Sequence, residues 1–213
     1  MKCDKNTMRL YAVTDRAWTG KQSLYEQVES ALKGGVTCVQ LREKGMDEDR
    51  LVKEAAEIAA LCRRYGVPFL VNDNVDVALR CGADGVHVGQ DDMAAAQVRQ
   101  RVGRDRIVGV SAHSVAQALE AVKNGADYLG VGAAFSTSTK RDANVLPRGV
   151  LHDICEAVDV PVVAIGGISR ANIMRLSGTG VDGVALVSAI FAAEDIEAEC
   201  RALRALSEKM AGA

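Results

Sequence analysis

At 213 residues, with 48% hydrophobic and 25% charged, the chain has the composition of an ordinary soluble globular protein. A formal net charge of −2, with three Phe, four Tyr and one Trp, excludes the basic, aromatic-lined face that nucleic-acid binding calls for. The length suits one large domain, and a single α/β barrel over residues 1–213 uses all of it.

The N-terminal Met1-Lys-Cys-Asp-Lys-Asn-Thr-Met8 has no apolar signal segment, and no later run reaches membrane-spanning length. The six cysteines (Cys3, Cys38, Cys62, Cys81, Cys155, Cys200) are widely separated and form no C-x-x-C pair. Several lie in apolar stretches, which predicts reduced, mostly buried thiols and a cytoplasmic protein without a membrane partner.

Eight short runs rich in Val, Ile, Leu and Ala follow in chain order: Leu10–Val13, Thr37–Leu41, Pro68–Val71, Gly85–Val88, Ile107–Ser111, Tyr128–Val131, Val162–Ile165 and Gly183–Val187. They are nearly continuous apolar runs, as expected of parallel strands buried on both faces. Between them the period changes to that of a helix, as at Val115, Ala118, Leu119 and Val122. Ser23 with Glu26, and Ser114 with Gln117, have capping-box spacing at helix starts. A repeated Gly-x-Asp, at Gly82–Asp84, Gly125–Asp127 and Gly180–Asp182, precedes three of the strands and reads as structural, on the lower face. The pattern predicts a single (β/α)8 TIM barrel with a parallel eight-stranded core; an open doubly wound sheet has the same strand count.

Polar strings stand where these strands end, and the carboxyl ends of parallel strands share one face. After the second run, Gln40, Arg42 and Lys44 share a parity that points inward, while Leu41 and Glu43 face the helices. An Arg and a Lys at a strand mouth make an anion site, unless they are solvated loop cations. Asn72-Asp73 ends the third run, and Asp92 follows the fourth. Two carboxylates from neighbouring strands suit a hard cation such as Mg²⁺, although Asp73 has the alternative of capping the next helix. Thr137-Ser138-Thr139-Lys140 lies in a long connection without helical pattern and offers hydroxyls and a cation to phosphate. Gly166-Gly167 and Val187-Ser188 end the last two strands, where barrels commonly bind phosphate through backbone N–H groups. Ser111 ends the fifth run, with His113 just beyond it. His87, within a strand, and His152, on a helix, read as core or surface residues.

In order and spacing these strings resemble the thiamine-phosphate synthase family, from Tyr11-Ala-Val-Thr-Asp-Arg16 to Val187-Ser188-Ala-Ile-Phe191. The resemblance implies that Gln40, Arg42, Lys44, Asn72, Ser111 and Lys140 hold an aminopyrimidine and its diphosphate. It implies one Mg²⁺ on Asp73 and Asp92, and the thiazole phosphate on Thr137, Thr139, Gly167, Val187 and Ser188. Arg42, Lys44, Lys140 and Ser111 are the implied catalytic set. The reaction implied is displacement of pyrophosphate by the thiazole nitrogen to give thiamine phosphate, with small molecules as the only partners. The thiazole tautomerase, an aromatising isomerase on the same barrel, is the alternative; it typically lacks the diphosphate and metal set. A phosphate-binding regulator without catalysis is the third. The sequence leaves open the oligomeric state, a homo-oligomer included, the role of His113 and the choice between thiazole forms. Ala133 and Ser136 stand where the family usually has proline, which predicts a more mobile sixth-strand loop.

Overall fold

In the computed structural model, residues 3–20, 22–137 and 145–212 are described, Arg148 by its backbone alone. Eight strands close into one barrel: β1 (Leu10–Val13), β2 (Cys38–Leu41), β3 (Phe69–Asn72), β4 (Gly85–Val88), β5 (Ile107–Ala112), β6 (Tyr128–Gly132), β7 (Val162–Ile165) and β8 (Gly183–Leu186). Every neighbouring pair is parallel, including β1 with β8, which rules out the open sheet.

Helices α1 (Leu24–Lys33), α2 (Glu48–Arg64), α3 (Val75–Cys81), α4 (Ala95–Val102), α5 (Val115–Lys123) and α6 (Arg148–Ala157) follow the first six strands. After β7 the expected helix shrinks to a 3₁₀ turn at Ile173–Leu176. The short α7 (Ser188–Phe191) and the long α8 (Ile196–Met210) follow β8. Ser23 and Glu26 form the full reciprocal capping box at α1. At α5, Ser114 accepts from the Gln117 amide, but the Gln117 side chain accepts from the His113 amide instead of closing the box on Ser114.

Strand alternation divides the apolar residues into two layers. Leu10, Ala12, Val39, Leu41, Val71, Val86 and their equivalents pack outward against the helices. Met8, Tyr11, Val13, Cys38, Leu70, Ile107, Tyr128, Val163 and Ala185 fill the barrel itself, so the interior is a packed core with room for chemistry only at its mouth.

The Gly-x-Asp repeats stitch the lower rim. Asp84 accepts from the Phe69 amide at 2.9 Å, Asp127 from Val108 at 2.7 Å and Asp182 from Val162 at 3.0 Å. In each case the aspartate's own amide donates back to the carbonyl of the same residue. The first amide of β3 and of β7, and the second of β5, thus gain a charged acceptor, worth about 1.5–3 kcal/mol per bond. Thr37 plays the same part for Leu10 through its hydroxyl. All six cysteines are free thiols. Burial pushes Cys62 and Cys200 up to about 12, which leaves them protonated. Among the described residues, no helix is long and apolar enough to cross a membrane.

Candidate active site

The carboxyl ends of β2, β3 and β4 bring the first three polar strings together. Thr14, fully buried beyond β1, donates its amide to the Gln40 carbonyl at 2.9 Å and accepts from the Arg42 amide at 3.0 Å, fixing where β2 ends. Glu43, on the other parity, is held by Arg16 at 2.9 Å. Lys44 stands exposed in the following turn.

Asn72 is the last residue of β3. Asp73 then takes a left-handed backbone, with φ 61, and donates its amide to the His87 carbonyl at 2.8 Å. A non-glycine residue in that region costs about 1 kcal/mol or more, and such strain gathers at functional positions. Asp73 is not the helix cap. Asn74 caps α3 by accepting from the Val77 amide at 2.9 Å, so the Asp73 carboxylate is left to face Asp92. Burial, a hydrogen bond shared with Asp92 and the Asp92 charge raise Asp73 to about 6, opposed by Arg42 and Asn72. Asp92 is itself aimed by the Gly89 amide at 2.7 Å. A cleft of about 390 Å³ opens beside the two carboxylates.

Two facing carboxylates, one of them raised by burial and by the other's charge, are a donor set that suits a hard divalent ion. Among the described residues there is no group of three or more His, Cys, Asp or Glu that could hold a metal. The pair would therefore have to be completed by water or substrate oxygens, as Mg²⁺ prefers.

On the opposite side, Gly166 (φ 98) and Gly167 (φ 65) turn the chain out of β7. A Cβ on Gly167 would lie 2.2 Å from the Ser136 carbonyl oxygen, so the sixth-strand loop packs directly on this turn. Ala134 and Phe135 donate to Ile165 and Gly166 at 2.8 and 3.0 Å, and Leu146 donates to Ala133 at 2.8 Å. The described stem of the loop is thus bonded to the end of β7 through Ala134 and Phe135. Thr137 and the Val187-Ser188 step into α7 lie on the same face, while Thr139 and Lys140 fall outside the described residues. His113 is exposed, its Nδ1 2.8 Å from the Gly132 carbonyl oxygen, and His152 is exposed on α6.

The barrel interior joins two of the candidate site residues, Gln40 and Ser111, through Tyr11, Tyr128 and His87, which strand periodicity reads only as core. Gln40 Nε2 donates to Tyr11 Oη at 2.6 Å, and Tyr11 Oη lies 2.8 Å from Tyr128 Oη. Tyr128 Oη lies 2.8 Å from His87 Nδ1, and His87 Nε2 lies 3.0 Å from Ser111 Oγ. Register explains the meeting. Gly109 on β5 pairs with both His87 on β4 and Tyr128 on β6, and lacks a side chain to separate them. A Cβ there would come 2.2 Å from the Tyr128 ring, and one on Gly130 would come 3.0 Å from His87. Burial lowers His87 to about 4 and pushes both tyrosines well above their ordinary range, so all three are neutral near pH 7. The glycines at alternate positions of β5 and β6 are the sequence signal that could have revealed this slot.

Residues 10–190 match the profile of the family described as thiamine monophosphate synthase. The chain belongs to this family. Within the thiamine monophosphate synthase family, it is 50% identical over 200 residues to thiamine-phosphate synthase of Chloroflexus aurantiacus, covering 93% of this chain and 92% of that one. It is 46% identical over 195 residues to thiamine-phosphate synthase of Clostridium acetobutylicum, covering 92% of each. Among solved structures, thiamine phosphate pyrophosphorylase from Pyrococcus furiosus superposes with a TM-score of 0.89 at 40% identity, over 97% of this chain and 98% of that one.

Proposed function

We propose that this chain is a transferase that joins an aminopyrimidine diphosphate to a thiazole phosphate, giving thiamine phosphate and pyrophosphate. The observation that carries the reading is the Asp73–Asp92 pair, set beside Arg42 and Asn72 at the mouth of a barrel whose far side holds the Gly166-Gly167 turn. One end of the site is built for a metal-bound diphosphate and the other for a second phosphate. The names of the full-length relatives support the same reading and favour it over the tautomerase.

Gln40, Asn72 and Ser111 would hold the aminopyrimidine, and Arg42, Lys44 and Lys140 its diphosphate. Asp73 and Asp92 would hold one Mg²⁺, which when bound spreads the charge of the departing pyrophosphate. Arg42, Lys44 and Lys140 would stabilise the same developing charge from the protein side. Thr137, Thr139, Gly167, Val187 and Ser188 would anchor the thiazole phosphate so that its ring nitrogen faces the pyrimidine methylene. As the carbon–oxygen bond breaks, the electron-rich aminopyrimidine carries the positive charge, and the nitrogen lone pair closes the new carbon–nitrogen bond. No protein nucleophile is required. Positioning and electrostatics do the work, and water is kept from the cationic carbon.

The test is direct. Supplied with both substrates and Mg²⁺, the protein forms thiamine phosphate. Folded protein that instead only aromatises the carboxylated thiazole tautomer, or binds phosphate without turnover, would overturn the reading.

A further inference from the structure

The hydrogen-bonded chain inside the barrel links two residues that the proposed function places on one substrate, and its direction follows from where each proton has to go. Gln40 Nε2 donates to Tyr11, which leaves the Gln40 carboxamide oxygen without a donor among the described residues. Having accepted from Gln40, Tyr11 finds a good acceptor in the Tyr128 oxygen. Tyr128 then donates to His87 Nδ1, and the remaining ring proton at Nε2 donates to Ser111 Oγ. At the far end the Ser111 hydroxyl proton has no acceptor among the described residues. The alternative order with this Gln40 amide would make Tyr11 accept twice and turn its own proton to Cys38, whose sulfur is a weaker acceptor than the Tyr128 oxygen. One donor–acceptor sequence therefore pairs every member, and burying such a chain half-satisfied would be costly.

We propose that Tyr11, Tyr128 and His87 are positioning residues that hold Gln40 as an acceptor and Ser111 as a donor, so that the site reads a heteroaromatic edge carrying an amino donor beside a ring-nitrogen acceptor. This rests on the synthase reading, which supplies an aminopyrimidine as the ligand. The polarity disfavours the 4-oxo analogue of the pyrimidine, whose ring N–H and carbonyl oxygen present the reverse pattern. A site that must hydrogen-bond a ligand edge rejects the mismatched analogue strongly, because both sides are left unpaired. Gly109 and Gly130 serve the same end by leaving the slot in which Tyr128 and His87 meet.

The experiment compares wild type with Tyr128→Phe and Tyr11→Phe, which keep the packed rings and delete only the bridging oxygens. KM is measured for each substrate, together with discrimination between the aminopyrimidine diphosphate and its 4-oxo analogue. Tyr128→Phe is expected to raise the pyrimidine KM about tenfold, the value of one lost hydrogen bond. It leaves the thiazole phosphate KM within about twofold and narrows the analogue discrimination by about tenfold. The Tyr11→Phe/Tyr128→Phe double variant is expected to lose no more than the worse single variant, as for members of one chain. His87→Gln, which keeps a donor and an acceptor, should retain more discrimination than His87→Leu. A folded Tyr128→Phe with unchanged pyrimidine KM and discrimination would overturn the proposal, as would an equal rise in both KM values. Wild type that makes no thiamine phosphate would instead overturn the underlying function, and the positioning role with it.

Discussion

Asp73 and Asp92 stand beyond the ends of adjacent strands and face each other, with Asp73 raised to about 6 by burial and by interaction with its partner carboxylate. Holding two carboxylates this close costs stability at neutral pH, and a bound cation removes that cost. Mg²⁺ at a hundredfold excess over its Kd is expected to raise Tm by about 5 °C or more. Asp73→Asn tolerates the left-handed backbone and relieves the repulsion. It should therefore melt higher than wild type without Mg²⁺ and gain little when Mg²⁺ is added; thermal unfolding with and without the ion checks both.

His87 gives a separate pH signature. Its folded value, lowered to about 4 by burial, lies below the ordinary 6.5, so the unfolded chain takes up the proton first. This contribution is complete above pH 6.5, is lost as pH falls towards 4, and amounts to an upper bound of about 3 kcal/mol. Urea unfolding at a series of pH values should show wild type losing more stability between pH 6.5 and 4 than His87→Gln, with the raised Asp73 carboxyl opposing the trend equally in both proteins.

The lower rim should matter for stability and not for turnover. Asp127 accepts from the Val108 amide at 2.7 Å and pairs with Arg99, which also bonds the Gly125 carbonyl. Asp127→Ala leaves an amide and a guanidinium short of an acceptor and is expected to cost about 2–3 kcal/mol in urea, with kcat of the surviving folded protein near wild type. A large loss of kcat at unchanged stability would contradict the division between rim and mouth.

Gly109→Ala should be among the most damaging single-methyl changes. Its Cβ would lie 2.2 Å from a ring fully buried between two strands, so the core must shift, at about 1–3 kcal/mol or more. Gly20→Ala, with nothing within 4 Å, is the matched control, expected within about 0.5 kcal/mol of wild type. Denaturant midpoints for the two variants test the contrast.

The barrel was legible because its strands are continuous apolar runs. The placement of Asp73 and Asp92 was legible because each follows such a run within a few residues, after Val71 and after Val88. The Gln40–Ser111 connection was not, since Tyr11 and Tyr128 are 117 positions apart and look like ordinary strand aromatics. Only register, with Gly109 between His87 and Tyr128, brings them together. Periodicity also could not tell that Asn74 would take the helix cap from Asp73, because neighbouring Asn and Asp are both good caps and the backbone turn decides. The short 3₁₀ turn after β7 was equally hidden, since a brief apolar stretch reads alike for either helix.

The most direct measurement is Mg²⁺-dependent release of pyrophosphate and thiamine phosphate by wild type and Asp92→Ala side by side, with folding checked by circular dichroism. The account predicts equal amounts of the two products from wild type, none after chelation, and a loss of about a hundredfold or more in folded Asp92→Ala. Wild-type rates persisting in chelator, or in Asp92→Ala, would contradict it.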